Sequence, residues 1–202
     1  MYKIAAFLNF NKSVDKIIKS QKNKVKNNFG SQIYLNHPVH LTLFTLKIRK
    51  ISELREIYNK PKVKKKNKNL KLSINYTGIF SNDPLTKGHT LFYGLKKNIL
   101  LKKIQIKHLK YINKKIYVSK KNIKFIDNPV LKKNHKKYGF PFAGKIWIPH
   151  ITVASIRKIK KDHVFIKRFL KLKINIKSII KDVKFYRVSN DKHFFLFKTD
   201  II

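Results

Sequence analysis

One pattern, His-apolar-Thr-apolar-apolar, occurs twice in this chain: as His40-Leu41-Thr42-Leu43-Phe44 and as His150-Ile151-Thr152-Val153-Ala154. A short apolar run of this kind predicts a buried strand. Residues i and i+2 of a strand project to the same side, so each segment places an imidazole beside a hydroxyl. The apolar residue between them points the other way, toward a core. Two such strands that line one cleft would supply two histidines and two hydroxyls.

The rest of the chain mixes strands and helices without strict alternation, and each half contains strand, helix and strand. This order favours an α+β fold with two antiparallel-sheet lobes over a doubly wound sheet. We therefore expect one domain over residues 1–202, built from two lobes. Strands are expected at 2–10, 38–48, 70–76, 90–95, 146–154, 183–188 and 194–199. Helices are expected at 13–28 (with Ser13 as N-cap and Gly30 as its end), 52–58, 98–113 and 162–171. A loop is expected at 62–69. Within 114–146 only turns are recognised, at Asn128-Pro129 and from Gly139 to Gly144.

The composition allows a globular protein with an extreme charge. The chain has 202 residues, 43% of them hydrophobic, which excludes a disordered tail. Lys and Arg number 49 against 9 Asp and Glu, a net charge of +40 that attracts polyanions. Abundant Lys, Asn and Ile are also typical of an AT-rich genome. The charge therefore supports a nucleotide or RNA partner only weakly.

Several classes of site are excluded by residues that the sequence lacks. It has no Cys, and the carboxylates are scattered without ligand spacing. The His-x-x-x-His and His-Glu-x-x-His patterns of metal sites are absent as well. We expect no metal ion and no cofactor. No apolar run approaches ~18 residues, and the N-terminus does not resemble a secretory signal, so we expect a cytoplasmic monomer without a membrane segment.

Two histidines can open a phosphodiester without a metal ion. One imidazole takes a proton from the attacking group and the other protonates the leaving oxygen, because a pKa near 6.5 leaves both forms populated. His40 and His150 are the candidates, and Thr42 and Thr152 are candidates to hold the phosphate. Of the other six histidines, His37 is expected to be structural or at the surface. The remaining five have no partner pattern and are expected at the surface: His89, His108, His135, His163 and His193. The aromatic residues Tyr138, Phe140 and Trp147 either pack in the core or form a wall on which a base stacks.

At these residues the chain resembles the 2H phosphoesterase superfamily. The segments Val39-His40-Leu41-Thr42-Leu43 and Trp147-Ile148-Pro149-His150-Ile151-Thr152-Val153-Ala154 look like its two signature motifs. Pro149 is typical of the branch of 2′-5′ RNA ligase-like cyclic phosphodiesterases. Two positions depart from the common pattern: Lys47 stands where a Gly is frequent, and Ser155 where an Arg is frequent.

The resemblance implies a bilobal, pseudo-symmetric α+β fold, with two antiparallel sheets flanking a central groove and helices outside. It implies metal-independent cleavage of 2′-5′ phosphodiester or 2′,3′-cyclic phosphate bonds in RNA ends, oligonucleotides or cyclic nucleotides. It also makes His40 and His150 the acid and base, in an order left open, and Thr42 and Thr152 the phosphate ligands. Two alternatives stay open: a viral-type enzyme that degrades a 2′-5′-linked or cyclic-dinucleotide immune signal, and a non-catalytic basic RNA-binding or ribonucleoprotein subunit on the same fold.

Overall fold

A computed structural model describes residues 1–59, 69–96, 99–121, 128–190 and 192–201. The loop expected at 62–69 falls almost wholly outside these residues. The strands are β1 (Tyr2–Leu8), β2 (Leu41–Ile48), β3 (Leu70–Ile74), β4 (Tyr76–Asp83), β5 (Gly88–Gly94), β6 (His150–Ile156), β7 (Ile176–Ile180), β8 (Asp182–Ser189) and β9 (Lys192–Asp200). The helices are α1 (Lys12–Phe29), α2 (Ile51–Asn59), α3 (Ile99–Lys115), α4 (Pro129–Tyr138) and α5 (Val164–Leu170).

The expected α+β class with antiparallel sheets is confirmed. One sheet has seven strands in the order β4-β5-β6-β2-β1-β8-β9, and the other has the two strands β3 and β7. The larger sheet runs through both halves of the chain, because β6 of one half pairs with β2 of the other. The two strands that carry the repeated motif are therefore neighbours near its centre. Within the part of the chain that the structure describes, no helix has the length and apolar character needed to cross a membrane.

Most helix and strand boundaries lie near the positions predicted from capping and turn residues, but three predictions need correction. The N-cap of α1 is Asn11, whose Oδ1 accepts a hydrogen bond from the Val14 amide, so the predicted cap at Ser13 is wrong. Gly30 ends this helix as predicted, at φ 66°. The single strand expected at 70–76 is two strands, because β3 and β4 belong to different sheets. In the segment 114–146, the predicted turns at Asn128 and Gly139 are the two caps of α4.

The core is built around the central strands of the larger sheet and the helices that pack on it. β1 contributes five consecutive buried residues, so both of its faces are covered. The buried residues of β2 are Leu41, Leu43, Phe44, Leu46 and Ile48. Helix α1 packs against β6 and α3 packs against β2. Burial of this apolar surface is the main favourable term in folding. It also fixes the register of β2 and β6, since a slip by one residue would reverse which side chains face the core.

Candidate active site

The two motifs meet where β2 pairs with β6. The register places Leu41 opposite Ile151, and both side chains are fully buried. His40 and Thr42 therefore share the other face of the sheet with His150 and Thr152, and all four are half-buried. We call this the histidine face. In an antiparallel pair centred on Leu41 and Ile151, the two histidines are diagonal neighbours, with Cα atoms about 7–8 Å apart. That spacing allows both rings to reach one phosphate group.

The backbone holds the two imidazoles in the same way. His40 Nδ1 lies 2.7 Å from the carbonyl oxygen of Pro38, and His150 Nδ1 lies 2.7 Å from the carbonyl oxygen of Ile148. A carbonyl only accepts, so Nδ1 carries the hydrogen in both rings. In the neutral ring Nε2 is then the basic nitrogen, and in the charged ring Nε2 carries the proton to be donated. Each histidine thus presents the same atom for proton transfer.

The surroundings of His40 keep its ring neutral. The ring stacks on Phe7, with centroids 3.8 Å apart, and meets the ring of His193 edge-on at 5.4 Å. Removal from water lowers the pKa of His40, and its hydrogen bond to Pro38 opposes the shift. Together with the positive charges that His193, His37 and Lys22 can carry, burial brings this pKa to about 3. The His40 ring is therefore unprotonated near neutral pH.

The surroundings of His150 are aromatic but include a negative charge. Its ring centroid lies 5.0 Å from that of Phe80 and 5.2 Å from that of Phe92. Burial lowers the pKa of His150, while the hydrogen bond to Ile148 and the Asp83 carboxylate oppose the shift. Asp83 is itself buried, and accepts hydrogen bonds from Thr90 Oγ1 at 2.7 Å and from the Leu85 amide at 2.9 Å. This negative charge favours the protonated form of His150. Among the described residues, no carboxylate has a comparable effect on the pKa of His40.

Two glycines let aromatic rings lie close to His150 on the histidine face. Gly94 pairs with both His150 and Tyr76, and Gly78 pairs with Phe92. A Cβ at Gly94 would collide with the ring of Tyr76, and one at Gly78 would collide with the ring of Phe92. The rings occupy the space that these side chains would need. They form an aromatic wall beside His150 that the sequence did not identify.

A buried lysine fixes the segment that leads into His40. Lys22 of α1 is 5% exposed, and its Nζ donates to the carbonyl oxygens of Tyr34 at 2.7 Å, Leu35 at 3.3 Å and His37 at 2.6 Å. Burial lowers the pKa of Lys22 to about 8, so the amino group remains mostly charged at neutral pH. The ammonium group thereby ties α1 to residues 34–37, three positions before the histidine. In sequence it is one of many lysines on a helix.

The three aromatic residues predicted to stack on a base lie elsewhere. Tyr138, Phe140 and Trp147 are 8%, 7% and 4% exposed and belong to the hydrophobic core. Rings packed against core residues leave no face for a base, so of the two sequence interpretations the packing role fits the structure.

The expectation that the remaining histidines lie at the surface is also wrong for several of them. His89, His108 and His135 are buried. His193 contacts Phe7 and His40 on the histidine face, with centroids 5.0 and 5.4 Å apart. Among the described residues, no three His, Cys, Asp or Glu side chains are arranged to hold a metal ion.

Comparison with known proteins identifies the architecture. No family model matches the sequence, and no curated protein matches it. Solved structures match along the whole chain: TT0787 of Thermus thermophilus has 13% sequence identity and a TM-score of 0.65, with 98% of this chain and 97% of that chain covered. A phosphoesterase has 10% identity and a TM-score of 0.58, with 99% and 98% covered. Escherichia coli LigT in complex with 3′-AMP has 10% identity and a TM-score of 0.56, with the same coverage.

The chain adopts the fold of these three proteins. LigT has also been crystallised with NADP+, ATP and phosphate. At 9–13% identity the shared feature is the arrangement of strands and helices. In this chain β2 and β6 lie side by side, so the chemistry depends on the side chains that these two strands carry.

Proposed function

We propose that this protein is a metal-independent phosphodiesterase that cleaves 2′-5′ phosphodiester or 2′,3′-cyclic phosphate bonds in RNA ends, oligonucleotides or cyclic nucleotides. The observation that carries the proposal is the Leu41–Ile151 register, which puts His40, Thr42, His150 and Thr152 on one face at the junction of the two halves. The nucleotide complexes of LigT, a protein of the same fold, support a nucleotide substrate.

The reaction can be written with these four side chains. In a 2′,3′-cyclic phosphate, the oxygen of a water molecule attacks phosphorus in line with the bond to one ribose oxygen. Nε2 of one histidine takes the proton from water as the new P–O bond forms. The bond to the ribose oxygen breaks, and Nε2 of the other histidine protonates that oxygen, which leaves a phosphomonoester. The hydroxyls of Thr42 and Thr152 donate to the non-bridging oxygens, where negative charge accumulates.

The charged neighbours support a division of roles between the two histidines. His40 lies among groups that repel a proton and takes the proton from water, whereas His150 lies near the Asp83 carboxylate and donates its proton to the leaving oxygen. An anionic phosphate bound between the rings raises both pKa values, which is how His150 becomes protonated in the complex. Two neutral or two charged imidazoles would not support the reaction.

The test is turnover of a substrate panel in the presence of EDTA. We expect hydrolysis of at least one of 2′,3′-cyclic nucleotides, 2′-5′ oligoadenylate and mixed-linkage cyclic dinucleotides, and a loss of about 10²–10⁴-fold in kcat for His40→Ala and for His150→Ala. His163→Asn is the matched control, because this histidine caps α5 through an accepting nitrogen that Asn can replace.

Three results would contradict the proposal: no turnover of any substrate, turnover that EDTA abolishes, or His40→Ala and His150→Ala variants as active as His163→Asn. RNA binding without turnover would instead favour a non-catalytic basic RNA-binding protein, for which the net charge of +40 is the supporting observation.

A further inference from the structure

A row of aromatic rings leads from His40 across the larger sheet to its edge strand. The centroid of Phe7 lies 3.8 Å from that of His40 and 5.1 Å from that of Tyr186. The next step, from Tyr186 to Phe195, is 5.7 Å. Exposure increases outward, from 4% at Phe7 through the half-buried Tyr186 to 56% at Phe195. The row therefore begins at the catalytic histidine and ends on the open surface.

The register shows that these rings share the histidine face. Phe7 is the partner of Thr42, Tyr186 is the partner of Ala5, and Phe195 is the partner of Tyr186. Ala5 and Phe7 are two residues apart on β1 and point to the same side. Phe194, the neighbour of Phe195, points to the other side, where its ring lies 4.9 Å from the Arg187 guanidinium carbon. The edge strand thus exposes one phenylalanine on each face.

Two lysines accompany the row on the same face. Lys184 is the partner of Phe7, and Lys198 is the partner of Lys184. Like charges directly opposite each other destabilise a sheet. The carboxylate that offsets them is that of Asp182, 4.0 Å from the Lys198 amino group. A bound polyanion would relieve the repulsion, whereas another basic surface would increase it.

We propose that Lys184, Tyr186, Phe195 and Lys198 form a binding surface for single-stranded RNA, so that the preferred substrate is the end of an RNA strand rather than a free mononucleotide. Aromatic rings bind successive bases by stacking, and lysines between them neutralise the backbone. We call these four residues the β9 surface. The proposal rests on the proposed function for the position of the scissile phosphate beside His40. An RNA strand that extends from this phosphate along the row would contact the aromatic rings and lysines of the β9 surface.

The first test is binding of a labelled single-stranded RNA decamer with a 3′-phosphate, followed by fluorescence anisotropy. We expect Phe195→Ala to weaken binding about tenfold, the effect of one lost base stack. Phe194→Ala is the matched control, because it removes an exposed ring from the same strand but from the opposite face, and we expect binding to be unchanged. We expect Lys198→Gln to lower the slope of log K against log salt by about 0.7, the value for one phosphate contact on a single strand.

A second measurement separates this proposal from the proposed function. For Phe195→Ala we expect the ratio of kcat/KM on an RNA decamer with a 2′,3′-cyclic end to kcat/KM on a 2′,3′-cyclic mononucleotide to fall about tenfold. If both phenylalanine variants weaken RNA binding equally, or if the wild type binds the decamer no better than the mononucleotide, the β9 surface is not an RNA site. The RNA site is also ruled out if all variants bind RNA equally and Phe195→Ala instead weakens the binding of a protein partner. Wild-type RNA binding that depends on Phe195 but occurs without turnover supports the surface and contradicts only the proposed function.

Discussion

At the scale of single residues, His40 and His150 make the same hydrogen bond from Nδ1 to a backbone carbonyl oxygen but have different charged neighbours. This difference predicts the pH dependence of the reaction. The free enzyme is active only when one of the two imidazole rings is neutral and the other is protonated. Burial lowers both pKa values below 6.5, so the charged ring is lost as pH rises and the neutral ring is lost as pH falls. We expect a bell-shaped profile of kcat/KM with its maximum below pH 6.5. A profile that is flat from pH 5 to 9 would contradict the paired roles.

The Asp83 carboxylate provides a sharper test of the same asymmetry. Its charge raises the pKa of His150, so Asp83→Asn is expected to move the alkaline limb of kcat/KM to lower pH, while Asn retains hydrogen-bonding groups for Thr90 and the Leu85 amide. Asp162→Asn, at an exposed position with no such contact, is the control. An unchanged limb in Asp83→Asn would mean that this carboxylate does not act on His150.

Residues that share a face within one strand could be predicted from the sequence, but contacts between distant strands could not. In the segment His40-Leu41-Thr42, strand geometry alone places His40 and Thr42 on one face and Leu41 on the other, and the second motif repeats this arrangement. His193 reaches the ring of Phe7 although its partner Val188 pairs with Lys3, four residues away on β1. That contact requires the β8–β9 hairpin to curl over the sheet, which no local pattern encodes. For Trp147 the sequence left two interpretations open, because an aromatic residue beside a motif gives the same pattern whether it packs in the core or lines a site.

At the scale of secondary-structure elements, helices and strands that local patterns define could be recognised from the sequence. Those that depend on contacts with distant parts of the chain could not. Gly30 acts through local hydrogen bonds and backbone conformation, so the end of α1 could be predicted. Asn128 is equally local, but its pattern was recognised only as a turn and not as the N-cap of α4. The division between β3 and β4 at Asn75 depends on which partner strand each one finds. Asn75 donates its amide to the Gly94 carbonyl and accepts from the Lys96 amide, contacts that exist only after β5 is in place. The alternation of apolar residues continues through this position unchanged.

The connection between α1 and β2 depends on Lys22, which predicts a selective effect of its removal. Lys22→Met removes the ammonium group that donates to carbonyl oxygens of the 34–37 segment, and a hydrogen bond to a charged group contributes about 1.5–3 kcal/mol. We expect a lower free energy of unfolding by about that amount, together with a lower kcat, because the segment before His40 loses its anchor. Urea unfolding and turnover of the same preparation measure both quantities. Lys24→Met, an exposed lysine on the same helix, is the control, and equal effects of the two variants would show that Lys22 has no special role.

At the scale of the whole molecule, the net charge of +40 opposes the folded state and attracts the proposed substrate, so salt should act on the two in opposite directions. Raising ionic strength from 0.01 to 0.1 M shortens the Debye length from about 30 to about 10 Å, which screens repulsion between most surface lysines. Each 1 kcal/mol of relief raises Tm by roughly 2–4 °C for a chain of this size, and we expect a rise of at least that magnitude. Over the same range, RNA affinity should fall, because each counterion released on binding gains less free energy when it enters a more concentrated salt solution. NaCl and KCl should give the same changes, and sucrose of equal osmolality should not weaken RNA binding. A Tm that falls with salt would show that ion pairs such as Lys19–Asp15 stabilise the fold more than the excess charge destabilises it.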